Sequence, residues 1–257
     1  MFSEHEYPIL EYDDDREAII DPYKIHAPVP GMPEHAVLCF FNNVVRDLAA
    51  AGSAKEIHVL ISETGRHPVY ILERPQGRIA LMHPCIGGPF AVGLTEELIA
   101  SGCRKIIACG GAGVLDSAVG VGQILVPESA VRDEGTSYHY LPPSRTVDAS
   151  PEAVAAIEDV LVARGIPHQR VRTWTIDAFY RETPARIRRR REEGCLTVEM
   201  EAASLFALAQ FRGVTLGQLL YAGDDVSGAE WDHRNWNEHH SVRERLLEVA
   251  IESCLRL

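Results

Sequence analysis

The chain has 257 residues, 46% of them apolar, and a formal net charge of −12. Such a length and apolar share suit one full hydrophobic core, so a single domain over residues 1–257 is expected; the charge argues against a general nucleic-acid binder, which needs a basic surface to displace counterions. No apolar run approaches membrane-spanning length, the acidic N-terminus lacks a secretory pattern, and the six cysteines form no C-x-x-C pair, so a cytoplasmic protein with buried thiols and no membrane partner is expected.

Residues 1–35 carry Pro8, Pro22, Pro28, Pro30 and Pro33 and an acidic cluster at Asp13, Asp14 and Asp15. With Ile9, Leu10, Ile19 and Ile20 the segment is too apolar for plain disorder, and an extended arm along the domain or a neighbour is expected. Residues 36–41 predict the first strand and 43–51 a short helix; 57–61, 69–73 and 78–83 predict strands separated by turns at Thr64-Gly65 and Gln76-Gly77. Cys85-Ile86-Gly87-Gly88-Pro89 then leads into a helix that runs to Ser101 and stops at Gly102. Glycine there lets backbone approach a ligand, and the amides of a helix start can hold an anion. A buried strand over 105–109 opens into a glycine turn, Gly110-Gly111-Ala112-Gly113. It is not the dinucleotide fingerprint, because a further strand at 123–127 follows instead of a long helix.

Residues 130–140 are dense in polar and aromatic groups and end at Pro142-Pro143. Ser150-Pro151-Glu152 caps a helix to Arg164-Gly165, and a strand over 169–176 leads into Asp177-Ala178-Phe179-Tyr180-Arg181-Glu182. Thr183-Pro184 caps the next helix, whose arginines 188–191 point in different directions and read as a solvated face. An apolar strand over 196–200 then turns into a helix over 201–211, with Ala202, Leu205, Phe206 and Ala209 on its core face. Taken as structure alone, Glu201 is a first-turn acid favoured by the helix dipole and Glu199 a strand-end residue. After Gly213 the strand Leu219-Leu220-Tyr221-Ala222 ends in Gly223-Asp224-Asp225; a His- and Trp-rich loop over 230–240 and a last helix complete the chain. The alternation predicts an α/β fold with a large mixed central sheet, partly curled into a barrel.

Two successive strands thus deliver acids at their carboxyl ends, where ligands bind in open α/β sheets. From about residue 36 to 225 the chain resembles the type I nucleoside phosphorylase and nucleosidase family. The resemblance rests on Ile86-Gly87-Gly88-Pro89, Gly110-Gly111-Ala112-Gly113, Asp177-Ala178-Phe179-Tyr180, Val198-Glu199-Met200-Glu201-Ala202 and Asp224. It implies a three-layer αβα sandwich, a small-molecule nucleoside as partner, no metal or other cofactor beyond phosphate as co-substrate, and a homodimer or a hexamer built as a trimer of dimers. It also implies that Glu201 grips the ribose hydroxyls and that Asp224 protonates the departing purine. Met200 would pack under the sugar and Phe179 stack on the base, with Val198, Glu199, Gly111, Ala112 and Gly113 lining the pocket. Asp225 reads as a cap or charge partner, and His233, His239 and His240 near Asp232 match no familiar metal-ligand spacing.

The departures concern the nucleophile. Phosphorolytic members carry a Gly-Asp-x-x-Arg loop after the first strand, where this chain has Phe41-Asn42-Asn43-Val44-Val45-Arg46. They also carry an Arg ahead of the glycine turn and a Thr inside it, where this chain has Ala108 and Gly111. A phosphate dianion needs charged or amide donors. Two nucleophiles therefore stay open: phosphate, held by a rebuilt set drawn from Arg46, Arg66, His83 and Arg132, or water, as in adenosylhomocysteine-type nucleosidases, whose first-loop Glu is replaced here by Asn42-Asn43. Residues 131–139 and 177–180 look more like the uridine- and purine-phosphorylase branch, so the leading expectation is a pentosyltransferase of purine salvage that releases free base and pentose 1-phosphate. Hydrolysis is the runner-up. A non-catalytic nucleoside-binding scaffold is a third reading, and the two acids count against it.

Overall fold

The computed structural model describes residues 2–257. Ten strands and seven α-helices follow one another among those residues: α1 (Pro22–Ile25), β1 (His35–Cys39), α2 (Asn42–Ala50), β2 (Lys55–Ser62), β3 (Gly65–Arg74), β4 (Gly77–Met82), α3 (Gly88–Ser101), β5 (Lys105–Val114), β6 (Ile124–Asp133), β7 (Thr146–Asp148), α4 (Pro151–Ala163), β8 (His168–Ile176), α5 (Pro184–Glu192), β9 (Cys195–Glu199), α6 (Ala202–Arg212), β10 (Thr215–Asp225) and α7 (His240–Cys254). All strands join one mixed sheet in the order β10-β6-β8-β9-β5-β1-β4-β3-β2, with β7 on β6. Because β10 also pairs with β5, the strands β5, β9, β8, β6 and β10 close into a barrel, and β1, β4, β3 and β2 extend from it as an open wing.

Burial follows position in the sheet. Ala36, Val37, Leu38 and Cys39 of β1 lie parallel between β4 and β5 and are wholly buried, as a continuous apolar run requires of a strand covered on both faces. At the edge, β2 leaves Lys55, Glu56 and Ile61 exposed. Helices α3 and α6 pack together, and α4 with α7, so two helix pairs flank the sheet. All six cysteines are free and all but Cys85 are buried. In the N-terminal arm, α1 packs on α3 while Ile19 and Ile20 are exposed. No helix among the described residues is long and apolar enough to cross a membrane.

Three local expectations are corrected. Gly110-Gly111-Ala112-Gly113 forms the second half of β5 and is no turn, held by parallel pairing with β10 and antiparallel pairing of Gly113 with Val198. Its glycines admit close neighbours: a Cβ on Gly110 would lie 3.3 Å from the Phe40 ring, and one on Gly111 3.0 Å from the Tyr221 ring. Ser150 precedes α4 but does not cap it through its side chain; its hydroxyl accepts the Leu216 amide at 2.9 Å, tying α4 to β10. Within the arginine run, Arg188, Arg189 and Arg191 are exposed, but Arg190 is buried between Asp133 at 2.8 Å and Glu193 at 2.9 Å.

Helix α4 approaches β10 closely at Gly217, where a Cβ would stand 2.7 Å from Ala153 Cβ and 3.4 Å from the Ala153 carbonyl carbon. Backbone cannot retreat as a flexible side chain can, so Gly217→Ala is expected to cost roughly 1–3 kcal/mol through overpacking. A lowered urea midpoint checks this; an unchanged midpoint would contradict the contact.

Candidate active site

Glu201 stands at the N-cap position of α6, yet its side chain makes no capping bond there. Its Oε1 instead crosses to α3 and accepts the Gly87 amide at 2.6 Å. This departs from the dipole-paired, first-turn acid that local sequence suggests. The capping falls to Glu199, whose Oε2 accepts the amides of Glu201 and Ala202 at 2.7 Å each and whose Oε1 accepts the Thr175 hydroxyl at 2.6 Å. Two glycines let the helices meet. Gly87 sits at φ +91°, a region glycine enters freely, and a Cβ on Gly88 would collide with Ser204 Oγ of α6. That same hydroxyl donates to Glu134 at 2.7 Å, and Glu134 also receives the amide and hydroxyl of Ser137.

Glu134, Glu199 and Glu201 are all buried, and among the described residues none meets a basic side chain. Burial first, and then the charge of Glu199, pushes the Glu201 carboxyl up to about 8, while the Gly87 and Met200 amides pull the other way. Glu199 is raised too, chiefly by burial, against the hydrogen bonds from Thr175, Glu201 and Ala202. Glu199 and Glu134 spend their oxygens on protein donors; Glu201 meets only backbone amides, of Gly87 at 2.6 Å and of Met200, and keeps acceptor capacity for a ligand.

Asp224 arrives from the other side. Strands β9 and β10 are not neighbours; β5 lies between them, antiparallel to β9 and parallel to β10, and their carboxyl ends meet at that crossing. A Cβ on Gly113 would lie 3.1 Å from Val198 Cγ1 and 3.5 Å from Asp224 Oδ1, so the missing side chain makes room for the acid beside Val198. The Trp231 indole N–H donates to Asp224 Oδ2 at 2.6 Å. Asp225 is held structurally, by Arg234 at 2.6 Å and the Ser227 amide at 2.8 Å. Phe179, about half exposed, meets Tyr180 with ring planes tilted by 45° and centroids 4.2 Å apart, and Met200 is partly exposed beside Glu201.

The four phosphate candidates are placed less favourably. Arg132 is buried and its donors are taken by Ser137, Pro142, Ser144 and Leu141 around the Tyr138 ring. Arg66 lies exposed on the β2–β3 hairpin, 3.5 Å from Glu56, and Arg46 is exposed on α2. His83 accepts the Cys85 amide at 3.3 Å and bonds the Phe40 carbonyl; burial, then nearby His67, lowers its pKa and favours neutral imidazole. Cys85, at φ +62°, sits 3.5 Å from His67 Nδ1, and His67 Nε2 meets Ser62 Oγ at 2.8 Å. Among the described residues no guanidinium is hydrogen-bonded to Glu134, Glu199 or Glu201.

Sequence reasoning missed Gly87 as a partner of Glu201, and also Trp231 and Glu182. Glu182 directly follows the turn Phe179–Arg181, half-buried, and burial first and then the charge of Asp224 push its carboxyl up to about 7. Its place one 3₁₀ turn beyond Phe179 was the available signal, as was the position of Trp231 seven residues after Asp224.

The raised carboxyl of Glu201 has a consequence for stability. Since the folded value of about 8 exceeds the ordinary 4.5, the folded protein holds this proton more tightly than the unfolded chain; the stabilisation is full at low pH and is lost as pH rises through about 8. Glu201→Gln removes that loss, so the wild-type melting temperature is expected to fall further between pH 6 and pH 9 than that of the variant. Parallel curves would contradict the assignment.

A family model described as the phosphorylase superfamily matches residues 34–256. A guanosine phosphorylase of Halorubrum lacusprofundi is 30% identical over 185 residues, covering 67% of this chain and 73% of that protein; a uridine phosphorylase of Haemophilus influenzae is 25% identical over 186 residues with the same coverages. Among solved structures, a uridine phosphorylase from Vibrio fischeri superposes with a TM-score of 0.73 at 20% identity over 94% of this chain and all of that one. An AMP nucleosidase from Bacteroides thetaiotaomicron gives 0.71 at 20% identity over 88% of each. With its barrel and open wing, its buried Glu-Met-Glu junction and an acid at the end of β10, the chain belongs to the phosphorylase superfamily of nucleoside phosphorylases and nucleosidases.

Proposed function

We propose that this protein cleaves the N-glycosidic bond of a purine nucleoside with phosphate as nucleophile, releasing free base and pentose 1-phosphate. The observation that supports the reading is that Asp224 lies beside Gly113 and Val198, the residue three before Glu201, which itself keeps spare acceptor capacity.

In the proposed reaction the sugar's entry releases the Glu201 proton to solvent, and the 2′- and 3′-hydroxyls donate to the resulting carboxylate. As the bond to the base stretches, positive charge builds on the ribose, and a carboxylate in a buried site is attracted to that charge more strongly in the transition state than in the ground state. The Gly87 amide fixes the carboxylate during this change. The base leaves with the bonding electron pair, and a proton delivered at N7 from Asp224 makes it a neutral leaving group. A purine has that nitrogen and a pyrimidine does not, which favours the purine. Phe179 supplies the stacking face for the base. The guanosine phosphorylase and uridine phosphorylase among the relatives support phosphate as the nucleophile.

Hydrolysis is the second reading. What favours it is the scarcity of cationic donors in the single chain: Arg132 is engaged, Arg66 is paired with Glu56, and the Phe40 and Tyr221 rings lie against Gly110 and Gly111.

The test is to incubate the protein with guanosine, inosine, adenosine and uridine, with and without phosphate, and to follow free base. Release that requires phosphate is the expected result; release without it would replace phosphorolysis by hydrolysis, and silence across the panel would favour a binding protein. Glu201→Ala is expected to lower turnover by at least about 100-fold while leaving the circular dichroism spectrum unchanged. Wild-type rates in that variant would remove Glu201 from the sugar site.

A further inference from the structure

Two helices begin side by side at the carboxyl edge of the sheet. Strands β1, β5 and β10 run parallel, so the turn from β1 into α2 and the loop from β10 into α7 emerge on the side that carries Asp224. The side-chain nitrogen Nδ2 of Asn43, in the first turn of α2, stands 3.4 Å from Nδ1 of His240, the first residue of α7. A helix start is ordinarily satisfied by a capping side chain or favoured by an acid. Phe41 and His239 hold the two cap positions, neither bonds its helix through its side chain, and neither first turn contains an acid. The backbone amides of Asn42, Asn43 and Val44 meet no acceptor among the described residues.

A buried guanidinium lies beside these helix starts. Arg243 of α7 is 8% exposed, with Cζ 5.3 Å from the ring centroid of Phe41 and 5.6 Å from that of Trp236. Its bonds are long and go to neutral oxygens: Nε and Nη2 donate to the Tyr221 hydroxyl at 3.4 and 3.3 Å, and Nη2 to the Trp236 carbonyl at 3.2 Å. Tyr221 gives its own proton to that carbonyl at 2.6 Å, so towards Arg243 its oxygen only accepts. Among the described residues Arg243 pairs with no carboxylate and its Nη1 makes no hydrogen bond, yet Nη1 is not one of the unpartnered atoms sealed from solvent. The other buried arginines are better provided: Arg190 meets Asp133 and Glu193, and Arg132 meets four oxygens at 3.1 Å or less. A buried charge without an opposite charge is costly, and the two uncapped helix starts add to the positive potential around it.

We propose that this corner is a binding site for a phosphate group, held by Arg243 Nη1 and the first amides of α2, with His240 at its edge. A phosphate dianion offers several strong acceptor oxygens to a guanidinium and to helix-start amides together. With Asn43 Nδ2 donating to His240 Nδ1, the other ring nitrogen of His240 carries the proton and is a further donor. The donor set is separate from Arg46, Arg66, His83 and Arg132. It joins the candidate active site along β10: a Cβ on Gly111 would lie 3.0 Å from the Tyr221 ring, and one on Gly223, next to Asp224, would lie 3.3 Å from Trp236 Cβ. Two sources share this chemistry, orthophosphate as the nucleophile and the 5′-phosphate of a nucleotide. Only the first rests on the phosphorolytic reading above.

The test is a titration of deuterated, ¹⁵N-labelled protein with orthophosphate, with guanosine 5′-monophosphate and with guanosine, following the backbone amides and the arginine side chains. Orthophosphate is expected to shift Asn42, Asn43, Val44 and the Arg243 guanidinium, and guanosine to leave them in place. Arg243→Met is expected to weaken phosphate binding by at least about tenfold, with a smaller loss in Arg243→Lys, and to raise the KM for phosphate while changing that for guanosine less than about threefold. A merely structural arginine would change both KM values alike. Shifts produced by the nucleotide and not by orthophosphate would assign the site to a substrate's phosphate and count against phosphorolysis. Absence of shifts with both phosphate probes, or equal phosphate affinity in the wild type and Arg243→Met, would overturn the proposal. The amide shifts are read in the wild type, so they decide even where Arg243→Met fails to fold.

Discussion

A buried carboxyl met only by backbone amides is the constraint on which this structure depends. Burying an acid away from water is costly unless donors satisfy it, and the site places three, Glu134, Glu199 and Glu201, around the start of α6, none of them in a direct ion pair among the described residues. Glu199 is satisfied by two amides and a threonine hydroxyl, Glu134 by two serines. Glu201 is left with the Gly87 and Met200 amides, and burial, then the charge of Glu199, raises its pKa so that the empty site favours the protonated form. In the proposed reading a ligand's paired hydroxyls supply the donors that the protein leaves out, so stability and binding would be set against each other at this residue.

The fold supplies this arrangement by closing a barrel. Had β10 ended the sheet, its acid would stand far from β9; pairing with β5 brings the carboxyl ends of β9 and β10 to a common crossing. Close approach there needs backbone without side chains, and β5 provides it at Gly110, Gly111 and Gly113, against Phe40, Tyr221 and Asp224 respectively. The glycines at the start of α3 do the same for Ser204 and Glu201. Glycine here serves packing between elements, with a ligand's access as a second consequence.

Much of this was legible in the sequence. Apolar runs such as residues 36–41 and the periodic face of Ala202, Leu205, Phe206 and Ala209 predicted β1 and α6 because strand and helix periods differ, and the Glu-Met-Glu junction and Asp224 were found from strand-end acids and family resemblance. Local signals failed where a long-range partner decides the outcome. Gly110 to Gly113 reads as a turn because glycine is common in turns, yet pairing with β9 and β10 makes it strand. Ser150 reads as a helix cap, yet the Leu216 amide claims its hydroxyl. Arg132 looks available in sequence and is consumed by a loop ten residues further on. Glu182 and Trp231 escaped because their meaning comes from Asp224, more than forty residues from one and across a turn from the other.

The account's central claim is that one cleft holds a sugar at Glu201 and a purine at Asp224. A crystal structure of the protein soaked with a slowly cleaved purine nucleoside analogue tests it most directly. The account predicts both ring hydroxyls within hydrogen-bond distance of the Glu201 carboxylate, the base against Phe179, and N7 facing Asp224. A nucleoside bound elsewhere, or one seated in this cleft with Glu201 touching neither hydroxyl, would contradict it.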